Sequence, residues 1–122
     1  MINYQEICNK LDIKLEYVNY GWTNGGASAN DTIFLFPCSE EWIKEISFWH
    51  EIGHILLNKN SKRSMSLSTM SREGAAWELG LNAAFEHGRE WDYYSKELEW
   101  ARKQLASYIN GEYDDLKKHY RS

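Results

Sequence analysis

A single proline, Pro37, divides the chain into two stretches of different character. Proline fixes φ and has no N–H to give, so helices rarely run through it. Beyond it, breakers are few and apolar residues recur every three or four positions, so this part is expected to be largely helical. Ahead of it, residues 13–20 alternate early and are rich in strand formers, and Thr32-Ile33-Phe34-Leu35-Phe36 is a compact strand. Asn24-Gly25 is a strong tight-turn signal and Asn30-Asp31 a weaker one, because these residues tolerate positive φ. The expected result is a small antiparallel sheet of two or three strands, preceded by a short helix on which Ile2, Ile7 and Leu11 recur.

Three longer helices follow in the reading. Ser39 suits an N-cap, with Glu40 and Glu41 at the positive end. Trp42, Ile46, Trp49, Gly53 and Leu57 then mark one face, to a stop at Asn58. A second helix is expected from near Ser71 to His87, closed by Gly88 in the left-handed conformation. A third is expected from Trp91 to Asn110 before Gly111, with Trp91, Tyr94, Leu98, Ala101, Leu105 and Tyr108 as its stripe. Residues 112–120 can add a short frayed helix. The fold class is therefore α+β in a single domain over residues 1–122, which is one domain's length.

Composition narrows the class. Hydrophobic residues make up 43% and charged residues 26%, a globular balance. The net charge is -4, against the basic surplus of a dedicated nucleic-acid binder. The basic side chains Lys59, Lys62, Arg63 and Arg72 share a serine-rich stretch with no acid, between two acidic segments. No signal peptide is visible and no apolar run reaches membrane-span length, so a cytoplasmic protein with reduced Cys8 and Cys38 is expected.

The chemistry lies in His50-Glu51-Ile52-Gly53-His54, an H-E-x-x-H sequence within the first long helix. Residues i and i+4 share a helical face one turn apart, so two imidazoles can converge on one cation. Glu51 sits beside the first ligand, where it can take a proton from a water whose pKa zinc has lowered. With 4 His and 13 Glu in the chain, shuffling would produce such a motif in roughly 1% of sequences. A catalytic zinc site needs three protein ligands and an open position. The metzincin extension is excluded, because positions 57 and 60 hold Leu57 and Asn60 rather than glycine and histidine.

A carboxylate on the next helix is the main alternative for the third ligand. Glu73 is favoured, because Ala76, Gly80, Ala83 and Ala84 follow it on a small-residue face that lets the motif helix approach closely. Glu78 points about 140° away. His87 and Asp92 are further alternatives, and a first-turn acid can also serve only the helix dipole. Donors for a developing oxyanion would come from Tyr93, Tyr94 or His87. Strand 32–36 or the segment 26–30 offers an edge for an extended peptide.

The segment from Ile46 to Leu57, with its H-E-[apolar]-G-H core between apolar residues, resembles the signature of the ImmA/IrrE metallopeptidases. Glu73-x-x-Ala76-x-x-Leu79-Gly80 is similar to that family's second element. The resemblance implies a minimal zincin-like fold in which His50, His54 and Glu73 bind Zn²⁺ and Glu51 is the general base. It implies a protein or peptide substrate, of the repressor type, with no nucleic acid or membrane as partner. The chain departs from the family in having Leu81-Asn82-Ala83-Ala84-Phe85 where a Leu-Leu-Met-Pro-like stretch is common. It has no length for a helix-turn-helix domain. Trp77 stands where other glutamate zincins place an aspartate. The competing expectations are a non-catalytic binding module of the same fold, and a structural zinc that only staples helices.

Overall fold

A computed structural model describes residues 2–19, 26–37, 40–59 and 68–109. Among these the chain is α+β, with a three-stranded mixed sheet and four helices. In chain order they are α1 (Tyr4–Lys10), β1 (Lys14–Tyr17), β2 (Gly26–Ala29), β3 (Thr32–Leu35), α2 (Glu41–Lys59), α3 (Thr69–Glu86) and α4 (Lys96–Ile109). The Ser39 cap, the Asn24-Gly25 turn, Cys38, most of the basic stretch and the segment 112–120 lie outside the described residues.

The sheet is not antiparallel throughout. Its order is β1-β3-β2, with β2 antiparallel to β3 but β1 parallel to it. Burial explains the arrangement. β3 is the most apolar strand, and Ile33 and Leu35 are fully buried, so it takes the centre. β1 alternates Lys14 and Glu16 with apolar residues and is mostly exposed, as suits an edge. Asn30, at φ 55, makes the two-residue connection that pairs Ala29 with Thr32. Because β3 is flanked on both sides, strand 32–36 offers no free edge; the edge facing away from β3 on the α2 side belongs to β2.

Helix α2 organises the core. It buries Ile46, Phe48, Trp49, Ile52, Ile55 and Leu57. Phe48, Trp49, Ile52 and Ile55 join Tyr4, Ile7 and Cys8 of α1, Ile33 and Leu35 of β3, and Ala83 and Ala84 of α3 in one cluster. Its opposite side meets α3 at very short range. A Cβ added at Gly53 would overlap the Ala76 carbonyl, and one at Gly80 would overlap the Trp49 carbonyl. The small-residue face is thus used as expected, and Gly53 provides half of it from inside the motif.

Helix boundaries follow side-chain caps. α3 begins at Thr69, two residues earlier than expected, because Ser68 accepts a hydrogen bond from Ser71 N. It ends where Gly88 adopts φ 81. α4 begins at Lys96 rather than Trp91. Asp92 takes hydrogen bonds from Tyr94 N and Ser95 N, and Ser95 Oγ accepts from Leu98 N, so residues 91–95 form a capped turn. Tyr94 is consequently 82% exposed and leaves the stripe, whereas Trp91 still packs against the core. No helix among the described residues is long and apolar enough to cross a membrane.

Candidate metal centre

His50 and His54 occupy successive turns of α2 on the face turned to α3, as their spacing requires. The glycine contacts draw α3 close enough for Glu73 to reach them. Glu73 Oε2 lies 2.6 Å from His54 Nε2 and 3.7 Å from His50 Nε2. The early start of α3 places Glu73 in the second turn, past the reach of the helix-dipole effect. It is buried, at 8% exposed. A buried carboxylate must be partnered, and here the imidazoles are the partners.

The electrostatics agree. Burial alone would raise the Glu73 carboxyl, but the adjacent His50 and His54 outweigh it and hold it well below the usual carboxylate range. For His54, burial disfavours the charged form, yet the hydrogen bond and charge of Glu73 leave its pKa raised.

Glu51 takes a different position. Its Oε1 accepts a 2.6 Å hydrogen bond from Ser28 Oγ on β2. Gly26, on the same face of that strand, leaves ordinary contact room beside the Glu51 side chain. Its Oε2 lies 3.7 Å from His50 Nδ1. The two carboxylates therefore address opposite nitrogens of His50, Glu73 at Nε2 and Glu51 at Nδ1. Ligand atoms of His50, Glu51 and His54 all fall within 4.8 Å of one another, a group that can hold a metal ion. Glu73 Oε2 is closer to both Nε2 atoms than that limit.

The donor set suits a divalent cation: two imidazoles and a carboxylate, with His50 Nε2 buried and lacking a hydrogen bond among the described residues. These residues border a cleft of about 150 Å³, with Gly26 on the strand side and Trp100 and Gln104 on the α4 side.

The other sequence candidates lie elsewhere. Glu78 is exposed, on the far face of α3, and Asp92 is exposed and occupied in the turn before α4. His87 Nδ1 is 2.8 Å from Ala83 O, with its ring beside Trp49. Tyr93 and Tyr94 are exposed and pack edge to face on each other. None of these borders the cleft, so the expected oxyanion donors are not brought to it. Ser28, which bonds Glu51, and the cleft residues Ser47, Trp100 and Gln104 escaped the sequence reading. Ser28 and Gln104 carry no signal beyond being polar on a strand and a helix. Trp100 lies on α4 next to Ala101 of the apolar stripe, a place that reads as packing.

Comparison with family models, with curated proteins and with solved structures finds no match to this chain.

Proposed function

We propose that this chain is a zinc-dependent metallopeptidase with a minimal zincin-like fold, cleaving a protein or peptide substrate. The observation that carries the reading is the meeting of Glu73 with both imidazoles of the H-E-x-x-H helix, from a second helix held at glycine contact. His50, His54 and Glu73, which line the cleft, would hold the metal. Bound there, Zn²⁺ supplies Lewis acidity toward a peptide carbonyl and makes water a stronger acid.

The remaining chemistry belongs to the chain. Ser28 ties down Glu51 Oε1, which leaves Oε2 to accept a proton from the attacking water and deliver it to the leaving amine. Among the described residues β2 has no strand on its outer side, and its Ser28 bonds Glu51, so an extended peptide paired there would lie near the cleft. The Gln104 amide is one of the cleft-lining groups that can donate to a developing oxyanion. The likeness of residues 46–57 and 73–80 to the ImmA/IrrE elements supports the same reading and points to a repressor-type protein as substrate, in a cytoplasmic setting.

The test is incubation of zinc-loaded protein with candidate repressor proteins and a broad peptide library, read by mass spectrometry. Wild type should cleave, and Glu51→Gln should be slower by about 10²- to 10⁴-fold, the usual contribution of a general base. Binding without cleavage by wild type across that range would overturn catalysis in favour of a binding module. Cleavage unaffected by Glu51→Gln would remove the assigned base.

A further inference from the structure

Metal-binding histidines are usually oriented by an outer partner that accepts a hydrogen bond from the second ring nitrogen. Glu73, itself a proposed ligand, faces the Nε2 atoms of both histidines, at 2.6 Å from His54 and 3.7 Å from His50. The second nitrogen of His50, Nδ1, has no such tie, because Glu51, the carboxylate beside it, is 3.7 Å away, beyond hydrogen-bond range. What His50 does have is Trp77. The indole and imidazole are stacked, with ring centroids 4.1 Å apart and planes 2° from parallel.

The stacking follows from the fold. Trp77 is one helical turn beyond Glu73 on α3, and His50 and His54 are one turn apart on α2. With the helices pressed together at Gly53 and Gly80, Glu73 comes within 2.6 Å of His54 and Trp77 covers His50. Trp77 is itself braced. It is 5% exposed, it packs in a cluster with Ile46 and Ala101, and Trp100 meets it edge to face at 6.2 Å. A flat ring packed in this way restricts the plane of the imidazole it touches.

We infer that Trp77 is a positioning residue for His50, fixing the imidazole plane by stacking where an outer hydrogen bond would ordinarily do so. The inference rests on the metal site proposed above. Its consequence is that the planar aromatic surface matters to metal affinity, more than the volume it fills.

The test compares Zn²⁺ affinity, by chelator competition, in wild type, Trp77→Leu, Trp77→Phe and Leu81→Ala, at a temperature where circular dichroism shows each folded. Leu81 packs against the same cluster as Trp77 and so controls for loosened packing. Trp77→Leu should lose about 10- to 100-fold in affinity, the usual effect of removing an outer partner. Trp77→Phe should recover most of that loss, and Leu81→Ala should match wild type. Equal affinity in Trp77→Leu, or an equal loss in Leu81→Ala, would overturn the inference. In metal-free wild type the ring current of a stacked indole should also move the His50 ring protons upfield of those of His54. Coincident shifts would place the indole off the imidazole and overturn the inference without need of a variant. Wild type that binds no zinc would overturn the metal site itself and this role with it.

Discussion

A carboxylate that works as a base must be held still without having both oxygens occupied. Ser28 would do this for Glu51, the proposed base, since it takes Oε1 at 2.6 Å and leaves Oε2 at 3.7 Å from His50 Nδ1. Ser28→Ala should keep its zinc and lower kcat by about tenfold, as loss of an outer partner does. Steady-state kinetics beside metal analysis checks it, and an unchanged kcat would show the bond to be idle. The proposed third ligand shows how far a sequence reaches at this scale. Glu73 was separable from Glu78 because their angular separation and the alanines and glycine beyond Glu73 are written in the chain. Ser28 was not, because its role depends on which strand lies beside α2, and only tertiary packing decides that. The oxyanion candidates failed for the same reason: Tyr93 and Tyr94 lie in a turn fixed by Asp92 and Ser95, outside the helix assigned to them.

Helices α2 and α3 form the site as a unit, and their glycines test this. Gly53→Ala or Gly80→Ala would drive a methyl into a backbone carbonyl that cannot move aside. Each should cost about 1–3 kcal/mol or more in stability and reduce zinc binding by separating Glu73 from the imidazoles. Gly74, in the same helix as Gly80, has nothing within 4 Å of an added Cβ. Gly74→Ala should therefore stabilise by about 0.5–1 kcal/mol, since glycine inside a helix costs entropy. Urea denaturation of the three variants checks the contrast, and equal effects would refute it. Periodicity made the helices legible and the caps set their ends within a few residues, except at α4. Sheet topology was less legible. The turn signals suggested neighbouring hairpins, but the burial of Ile33 and Leu35 gives β3 the central place and sets β1 parallel beside it.

The whole molecule is built around α2, with α1 and the sheet on one side and α3 on the other, so groups far from the cleft share one stability. Burial pushes the Cys8 thiol up to about 11, and burial with the Glu41 hydrogen bond pushes the Tyr4 hydroxyl up as well. Both groups hold their protons more tightly folded than unfolded. The unfolded chain thus binds fewer protons in alkali, and stability should fall as pH rises. For Cys8 the fall spans about pH 9 to 11. Urea midpoints across that range should drop, less steeply in Cys8→Ala, and a flat profile would contradict the assignment. Zinc should act on the same stability in the opposite sense, because a ligand of the folded state alone stabilises it by mass action. The most direct measurement is the zinc content of purified protein after removal of loosely held metal. Wild type and Glu51→Gln should each carry about one zinc per chain, as a three-ligand site with a separate base requires, and His54→Ala should carry almost none. Full zinc in His54→Ala, or none in wild type given zinc, would contradict the assignment of His50, His54 and Glu73 as a metal centre.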